Sequence, residues 1–191
     1  MSPGSQKLYA YVDETGQETE GEFFLVSTII VGRERDEILA NLEVIEQQSG
    51  KGIQSWRETR FARREGYVDR VLALPRLQGA IFYGVYHGTQ AYQAVTNETI
   101  RRALDLRAPE RDYKVTIFID GLHRSERRGV GVGLRQAGIP TRKVRSSRDQ
   151  ADALGRLADA MAGFIRDGTE GVEAFVGRLR IAREGKWIQL V

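Results

Sequence analysis

The chain has 191 residues, of which 41% are hydrophobic and 29% are charged, and its formal net charge is +3. It has no cysteine, which excludes disulfide bonds, thiolate metal sites and cysteine nucleophiles. No apolar run approaches the ~20 residues that a membrane-spanning helix needs, and the first residues lack the apolar core of a signal peptide. We therefore expect one globular domain over 1–191, located in the cytoplasm, with no membrane partner.

The first half of the chain predicts three strands and three helices. Residues 8–13 and 22–31 are rich in β-branched and aromatic side chains, and the polar, glycine-bearing segment between them predicts a hairpin connection. Apolar residues at helical spacing predict helices at 34–48 and 58–74; the first ends at a Ser-Gly-Lys-Gly run and the second before Pro75. A third strand at 80–86 and a third helix at 89–107 follow.

In the second half of the chain, predicted strands alternate with predicted helices. The run at 113–120 is almost wholly apolar, as in a strand that is covered on both faces. A helix at 125–137 is weakened by Gly129, Gly131 and Gly133, and a flexible turn is the alternative there. The remaining elements are a short strand at 139–146, an amphipathic helix at 150–166, a helix at 170–179 and a terminal strand or packed tail at 187–191. This order predicts a single α/β domain, with a mixed β-sheet flanked by α-helices.

Three aspartates lie where these elements could bring them together. Asp13 and Asp120 each stand at the end of a predicted strand, shortly before a glycine, and Asp159 lies on the helix at 150–166. Asp152, seven residues earlier, could reach the same side of that helix. Divalent cations prefer carboxylate oxygens, and a two-metal nuclease holds two ions about 4 Å apart. Asp13, Asp120 and Asp159 are therefore candidate catalytic residues and candidate ligands of Mg²⁺ or Mn²⁺.

Each carboxylate has an alternative interpretation that the sequence leaves open. Asp13 and Asp120 could simply begin turns, where aspartate before glycine is common. Asp159 lies among apolar neighbours, where a carboxylate is costly unless it is paired, and Arg156 could neutralise it in a salt bridge. Glu14 would point to the opposite face of the strand from Asp13, so it would join the site only if the chain turned or bulged there.

Basic residues are concentrated between positions 124 and 148, a segment that contains eight arginines and lysines and only one acidic residue. The segment at 13–22 is acidic instead. Such segregation would place anionic metal ligands beside a surface that attracts phosphates. We expect four arginines to bind nucleic-acid phosphates: Arg124, Arg127, Arg128 and Arg145. Solvated arginine-rich faces without a partner are the alternative.

A second basic segment, at 51–60, carries Trp56 together with Lys51, Arg57 and Arg60. The indole could stack on an exposed base while the arginines hold phosphates. The alternative is a tryptophan that packs under a loop, with the arginine side chains extending to solvent.

Several short motifs together resemble a bacterial family. Residues 11–16 (Tyr-Val-Asp-Glu-Thr-Gly) are similar to the Asp-Glu-Ser-Gly opening of the domain-of-unknown-function family 3800, with threonine in place of serine. Residues 23–31 (Phe-Phe-Leu-Val-Ser-Thr-Ile-Ile-Val) resemble its second strand, and residues 117–120 supply its central strand-end aspartate. Residues 157–163 (Leu-Ala-Asp-Ala-Met-Ala-Gly) resemble its Gln-Leu-Ala-Asp-Leu-Ile-Ala-Gly helix, with Arg156 where the glutamine is expected.

The resemblance implies a ribonuclease-H-like fold, a metal-dependent nuclease activity and a site at Asp13, Glu14, Asp120 and Asp159. The leading hypothesis is therefore a Mg²⁺- or Mn²⁺-dependent nuclease that hydrolyses phosphodiester bonds of DNA or RNA. A non-catalytic module on the same scaffold, binding nucleic acid or another protein, is the alternative, because a fold alone does not establish an activity. A phosphohydrolase acting on nucleotides is the third hypothesis.

Overall fold

The structure is a computed structural model that describes residues 5–110, 112–120, 122–146 and 152–191. These residues contain six strands: β1 (Gln6–Thr15), β2 (Phe24–Val31), β3 (Ile81–Tyr86), β4 (Tyr113–Ile119), β5 (Thr141–Ser146) and β6 (Ile188–Leu190). They also contain six α-helices: α1 (Arg35–Ser49), α2 (Phe61–Val71), α3 (Tyr92–Arg107), α4 (Arg124–Gln136), α5 (Ala153–Thr169) and α6 (Glu173–Glu184). The predicted order of strands and helices is confirmed.

The strands form one mixed sheet in the order β5-β4-β1-β2-β3-β6. The central strand, β1, pairs antiparallel with β2 and parallel with β4. β4 in turn pairs parallel with β5. Because β1 and β4 are parallel and in register up to the pair Val12 and Ile119, their carboxyl ends lie at the same edge of the sheet. This pairing brings the residues that follow, Asp13 and Asp120, side by side.

Helices cover both faces of the sheet, and each face buries its own apolar cluster. Helices α1, α2, α5 and α6 pack on one face, which includes Tyr11 of β1 and Phe118 of β4. Helices α3 and α4 pack on the other face, which includes Val12 and Ile117. Neighbouring strand residues therefore alternate between the two clusters, as the pleat requires. Within the part of the chain that the structure describes, no helix has the length and apolarity to cross a membrane.

Helix α4 forms despite its three glycines, so the alternative of a flexible turn is wrong. A Cβ atom on Gly129 would lie 2.7 Å from Nε2 of Gln93, and one on Gly133 would lie 2.5 Å from Nδ2 of Asn97. These two glycines therefore allow α3 to approach closely. Gly131 lies on the other side of the helix, where a Cβ would lie 3.3 Å from a methyl group of β5. In a helix, glycine is less favourable than alanine by about 1 kcal/mol per residue. The close packing on two sides of α4 offsets this cost.

Trp56, between α1 and α2, packs onto α5 at Gly163. A Cβ atom on Gly163 would lie 2.1 Å from Cδ1 of the indole, so only glycine leaves room for the ring. The indole N–H donates to Asp167 at 2.9 Å, and the ring of Phe175 lies 5.4 Å away. Trp56 is only 6% exposed. The expectation that it stacks on an exposed base is therefore wrong, and the packed tryptophan is the correct alternative.

Replacing Gly163 with alanine should destabilise the protein, because the new methyl group would overlap the indole of Trp56. We expect a loss of about 1–3 kcal/mol in the free energy of unfolding, the usual cost of overpacking a core. Urea denaturation followed by circular dichroism measures it.

Gly177→Ala is the matched control. Gly177 also lies inside a helix, α6, but no described heavy atom lies within 4 Å of the position that a Cβ atom would take there. Alanine at this position should stabilise the protein by about 0.4–1 kcal/mol, because it restricts the unfolded chain. The same change in stability from both substitutions would contradict the packing of Trp56 against Gly163.

Candidate active site

Strands β1 and β4 and helix α5 bring Asp13, Asp120 and Asp159 to one edge of the sheet. Asp13 lies near the end of β1, and Asp120 directly follows β4, with its N–H donating to the carbonyl of Val12 at 3.4 Å. Asp159 lies in the second turn of α5, which packs on β1 and β2. The negative charges of Asp159 and Asp120 both act on Asp13. The three predicted carboxylates therefore lie within electrostatic range of one another.

Negative charge at this edge is only partly compensated. Burial raises the pKa of Asp13 well above its ordinary value, and the charges of Asp159 and Asp120 raise it further. Burial also raises the pKa of Asp159, while the N–H of Trp56 and the ammonium group of Lys51 act in the opposite direction. A bound cation would therefore stabilise the ionised carboxylates.

A backbone group, rather than Arg156, holds Asp159. The N–H of Trp56 donates to Oδ2 of Asp159 at 2.7 Å. Arg156 instead makes a two-pronged ion pair with Glu46, at 2.8 and 2.7 Å. The side chain of Glu46 is only 4% exposed, so it needs a cationic partner. The salt bridge considered between Arg156 and Asp159 is therefore wrong.

Asp152 is not part of this edge. It caps the start of α5 by accepting from the N–H groups of Leu154 and Gly155 at 3.2 and 3.1 Å. Its other oxygen accepts from Arg35 at 2.8 Å and from the hydroxyl of Tyr11 at 3.1 Å. The expectation that Asp152 shares the side of Asp159 is wrong, because a residue at the N-cap turns its carboxylate back toward the helix end.

Glu14 faces the opposite side of the sheet from Asp13. The register between β1 and β2 continues to the end of β1 without a bulge, so side chains keep alternating. The carboxylate of Glu14 accepts from the hydroxyl of Thr96, on α3, at 2.5 Å and from the side-chain amide of Gln17 at 3.0 Å. Burial raises the pKa of Glu14. Glu14 also lines a cavity that it shares with Asp13 and Asp159, and its catalytic role stays a prediction.

A cavity of about 590 Å³ opens beside Asp13 and Asp159. Its lining also includes Arg57, Arg64 and Arg166. Two of these arginines already pair with carboxylates of the same cavity: Arg64 with Asp167 at 3.6 Å, and Arg166 with Glu18 and Glu170. Arg166 was not identified from the sequence, although its spacing from Asp159 indicates that it lies near the site. It lies seven residues after Asp159 on α5, and that spacing places both side chains on the same face of a helix.

The described ranges contain no group of three or more histidine, aspartate or glutamate side chains already spaced to hold a metal ion. The predicted ligands share an edge and repel each other, but they do not surround a common point at coordinating distance. The metal site itself stays a prediction.

The four arginines predicted to bind phosphates do come together. Three lie on α4 and one on β5, and with Arg135 they line a cavity of about 550 Å³: Arg124, Arg127, Arg128 and Arg145. The acidic residue of this stretch, Glu126, accepts from the backbone N–H of His123 at 2.7 Å. Arg148, counted in the same basic stretch, lies outside the described residues. The result is a concave basic surface, whose binding of nucleic acid stays a prediction.

Comparison with known proteins bears on the fold. No protein-family model matches the chain, and no curated protein does. A chain of the PCNA–RNase HII complex from Archaeoglobus fulgidus is similar, with a TM-score of 0.52 and 15% identity over 91% of this chain and 76% of that chain. Ribonuclease H2 from Pyrococcus horikoshii OT3 is similar too, with a TM-score of 0.54 and 14% identity over 94% of this chain and 78% of that chain.

At this identity the likeness concerns the fold alone. The order of elements predicted a mixed sheet flanked by helices, and the sheet has six strands. The resemblance to family 3800 stays a prediction. The chain has a ribonuclease-H-like fold.

Proposed function

We propose that this protein is a divalent-metal-dependent nuclease that hydrolyses phosphodiester bonds of DNA or RNA. The observation that carries the proposal is the edge shared by Asp13, Asp120 and Asp159, where burial and mutual repulsion raise the pKa of Asp13 and Asp159. Perturbed carboxylates beside a cavity are typical of functional sites. The names of the two similar structures, RNase HII and ribonuclease H2, and the motifs that resemble those of family 3800 also support a nuclease.

The chemistry of the donor set fits Mg²⁺ or Mn²⁺. Both ions prefer hard oxygen ligands, and a dication would offset the repulsion among these carboxylates. Asp13, Asp120 and Asp159 would hold it. When bound there, such an ion would supply acidification of a water and would offset negative charge on the phosphate.

The chain's own groups would position the site and the substrate. The N–H of Trp56 fixes one oxygen of Asp159, and contacts with Gly163 and Asp167 fix the indole. This support restricts the orientation of a proposed ligand. In the adjoining cavity, Arg57 would attract the phosphate to be cleaved, because Arg64 and Arg166 already pair with carboxylates that line this cavity. The basic surface on α4 and β5 would bind flanking phosphates through four residues: Arg124, Arg127, Arg128 and Arg145.

A second candidate function is a nucleic-acid-binding module without catalysis. One observation favours it: within the described ranges, no group of carboxylates is already spaced to coordinate a metal. Such a module would bind through its basic surfaces, with a steep dependence on salt. It would bind equally well with and without divalent ions.

Asp120→Asn and Asp13→Asn should each abolish cleavage of DNA or RNA. We expect the rate to fall by about 100-fold or more, because several kcal/mol of charge stabilisation would be lost. The measurement is gel analysis of labelled single-stranded and double-stranded DNA and RNA in Mg²⁺ or Mn²⁺.

Asp36→Asn is the control for these substitutions. Asp36 lies on α1 with a side chain that is 91% exposed, so this variant should cleave like the wild type. Wild-type rates in the Asp13→Asn or Asp120→Asn variant would reject the assignment of the site. A metal requirement that persists in all variants would point to ligands elsewhere.

Asp13→Asn should also stabilise the metal-free protein at pH 8. Since the pKa of Asp13 is raised in the folded state, ionising it costs folding free energy. The cost appears as the pH rises from the ordinary carboxyl range, about 4, and is complete above the raised pKa. Asparagine has the same shape and does not ionise. The melting temperature should rise by about 2–4 °C for each kcal/mol of repulsion removed.

Differential scanning calorimetry in EDTA between pH 4 and pH 8 measures this effect. The gain of Asp13→Asn over the wild type should be small at pH 4 and should increase with pH. Asp36→Asn should show no such pH-dependent gain. A lower melting temperature for Asp13→Asn than for the wild type at pH 8 would contradict the repulsion described for this edge.

A further inference from the structure

We propose that a second basic groove, on the face of the sheet that also carries Asp13, binds the phosphodiester backbone of the substrate beyond the point of cleavage. The groove has a volume of about 240 Å³ and lies along β5, β4 and the first half of β1. Four cationic side chains line it, together with Tyr9 and Phe118: Arg35, Arg142, Lys143 and Arg145. This inference rests on the proposed nuclease function and extends its substrate site.

An irregularity in β5 brings two neighbouring cations into this groove. The β4–β5 register jumps from the pair Val115–Thr141 to the pair Thr116–Lys143, which leaves Arg142 as the extra residue. In a regular strand, consecutive side chains would point to opposite faces. A bulge interrupts this alternation and redirects a side chain. Arg142 and Lys143 accordingly both line the groove.

Charge balance distinguishes three of these cations from Arg35, which pairs with Asp36 and Asp152, and from arginines elsewhere on the surface. On α3, for example, Arg101 pairs with Glu98 at 2.7 Å and also with a second carboxylate. Among the described residues, in contrast, no carboxylate lies within salt-bridge distance of Arg142, Lys143 or Arg145. Neighbouring like charges repel one another, so an anion bound between them would be stabilised. The groove therefore has the electrostatic character of a site for a polyanion.

The groove begins next to the proposed cleavage edge. In the register of the sheet, Arg145 lies beside Phe118, and Phe118 lies beside Tyr11. Asp13 and Asp120 lie two residues further along their strands. Two residues span about 6.6 Å and neighbouring strands are about 4.8 Å apart, so the Cα atoms of Arg145 and Asp120 are roughly 8 Å apart. A strand cleaved at the edge could therefore reach the groove with its next phosphates.

Arg145 also joins this groove to the basic cavity on α4, because it lines both. The two surfaces thus form one basic belt around the β5 edge of the sheet. Guanidinium groups bind phosphate oxygens in a two-pronged geometry, and no carboxylate is present among the described residues that line the groove. A nucleic-acid strand that passes the carboxylates is the occupant that fits both the charge and the position.

The test is binding of nucleic acid by the double variant Arg142→Ala/Lys143→Ala. Fluorescence anisotropy with labelled 20-nucleotide single strands and 20-base-pair duplexes, in EDTA, measures affinity without cleavage. We expect the affinity to fall about tenfold. The slope of log affinity against log salt should become shallower by about 1.4–1.8, because each phosphate contact contributes about 0.7–0.9.

The matched control is Arg76→Ala/Arg180→Ala, which removes the same charge. Both side chains are exposed, at 55% and 70%, and neither lines the groove. This variant should bind within about twofold of the wild type, with an unchanged salt slope. Circular dichroism of both variants should match that of the wild type.

Three results would overturn the proposal: wild-type affinity in Arg142→Ala/Lys143→Ala, an equal loss in the control variant, or no binding of nucleic acid by the wild type. A loss of binding to phosphatidylserine vesicles, but not to nucleic acid, would reassign the groove to a membrane surface. Groove-dependent binding without metal-dependent cleavage would reject the nuclease function and leave the groove as a binding site.

Discussion

The parallel pairing of β1 with β4 is the constraint on which the candidate site depends. These strands are distant in the chain, yet their register brings Val12 beside Ile119, so both strands deliver an aspartate to the same edge of the sheet. Helix α5, packed on β1 and β2, adds the third carboxylate. Parallel strands require a long connection between them, and here that connection includes β2, β3 and the helices α1, α2 and α3. The convergence of carboxylates is thus a consequence of the topology.

Contacts with Trp56 explain why Asp159 and Gly163 are four residues apart on α5. Four residues apart, they lie on one face of the helix. Asp159 accepts from the backbone N–H of Trp56, while the missing side chain of Gly163 leaves room for its ring. Asp159 therefore holds the segment between α1 and α2 in place, and it is also one of the three carboxylates at this edge of the sheet. Replacing Gly163 would disturb the support of Asp159 as well as the core.

The sequence predicted the strands and helices well because their apolar periodicity is local information. The strand-end positions of Asp13 and Asp120 follow from the same pattern, and the alternation along β1 already indicated that Glu14 faces away. Contacts between residues that are distant in the chain could not be predicted from this local pattern. The packing of Trp56 on α5, the pairing of Arg156 with Glu46 and the bulge at Arg142 depend on how the elements pack. The glycines of α4 left a flexible turn open as an alternative to the predicted helix, because their close contacts with α3 and β5 are tertiary.

The central claim is that Asp13, Asp120 and Asp159 form a binding site for a divalent metal. Isothermal titration calorimetry with Mn²⁺, on the wild type and on Asp120→Asn, tests it most directly. The account predicts saturable binding by the wild type that is lost in the variant, and retained in Asp36→Asn. Binding that persists unchanged in Asp120→Asn, or no binding by the wild type, would contradict it.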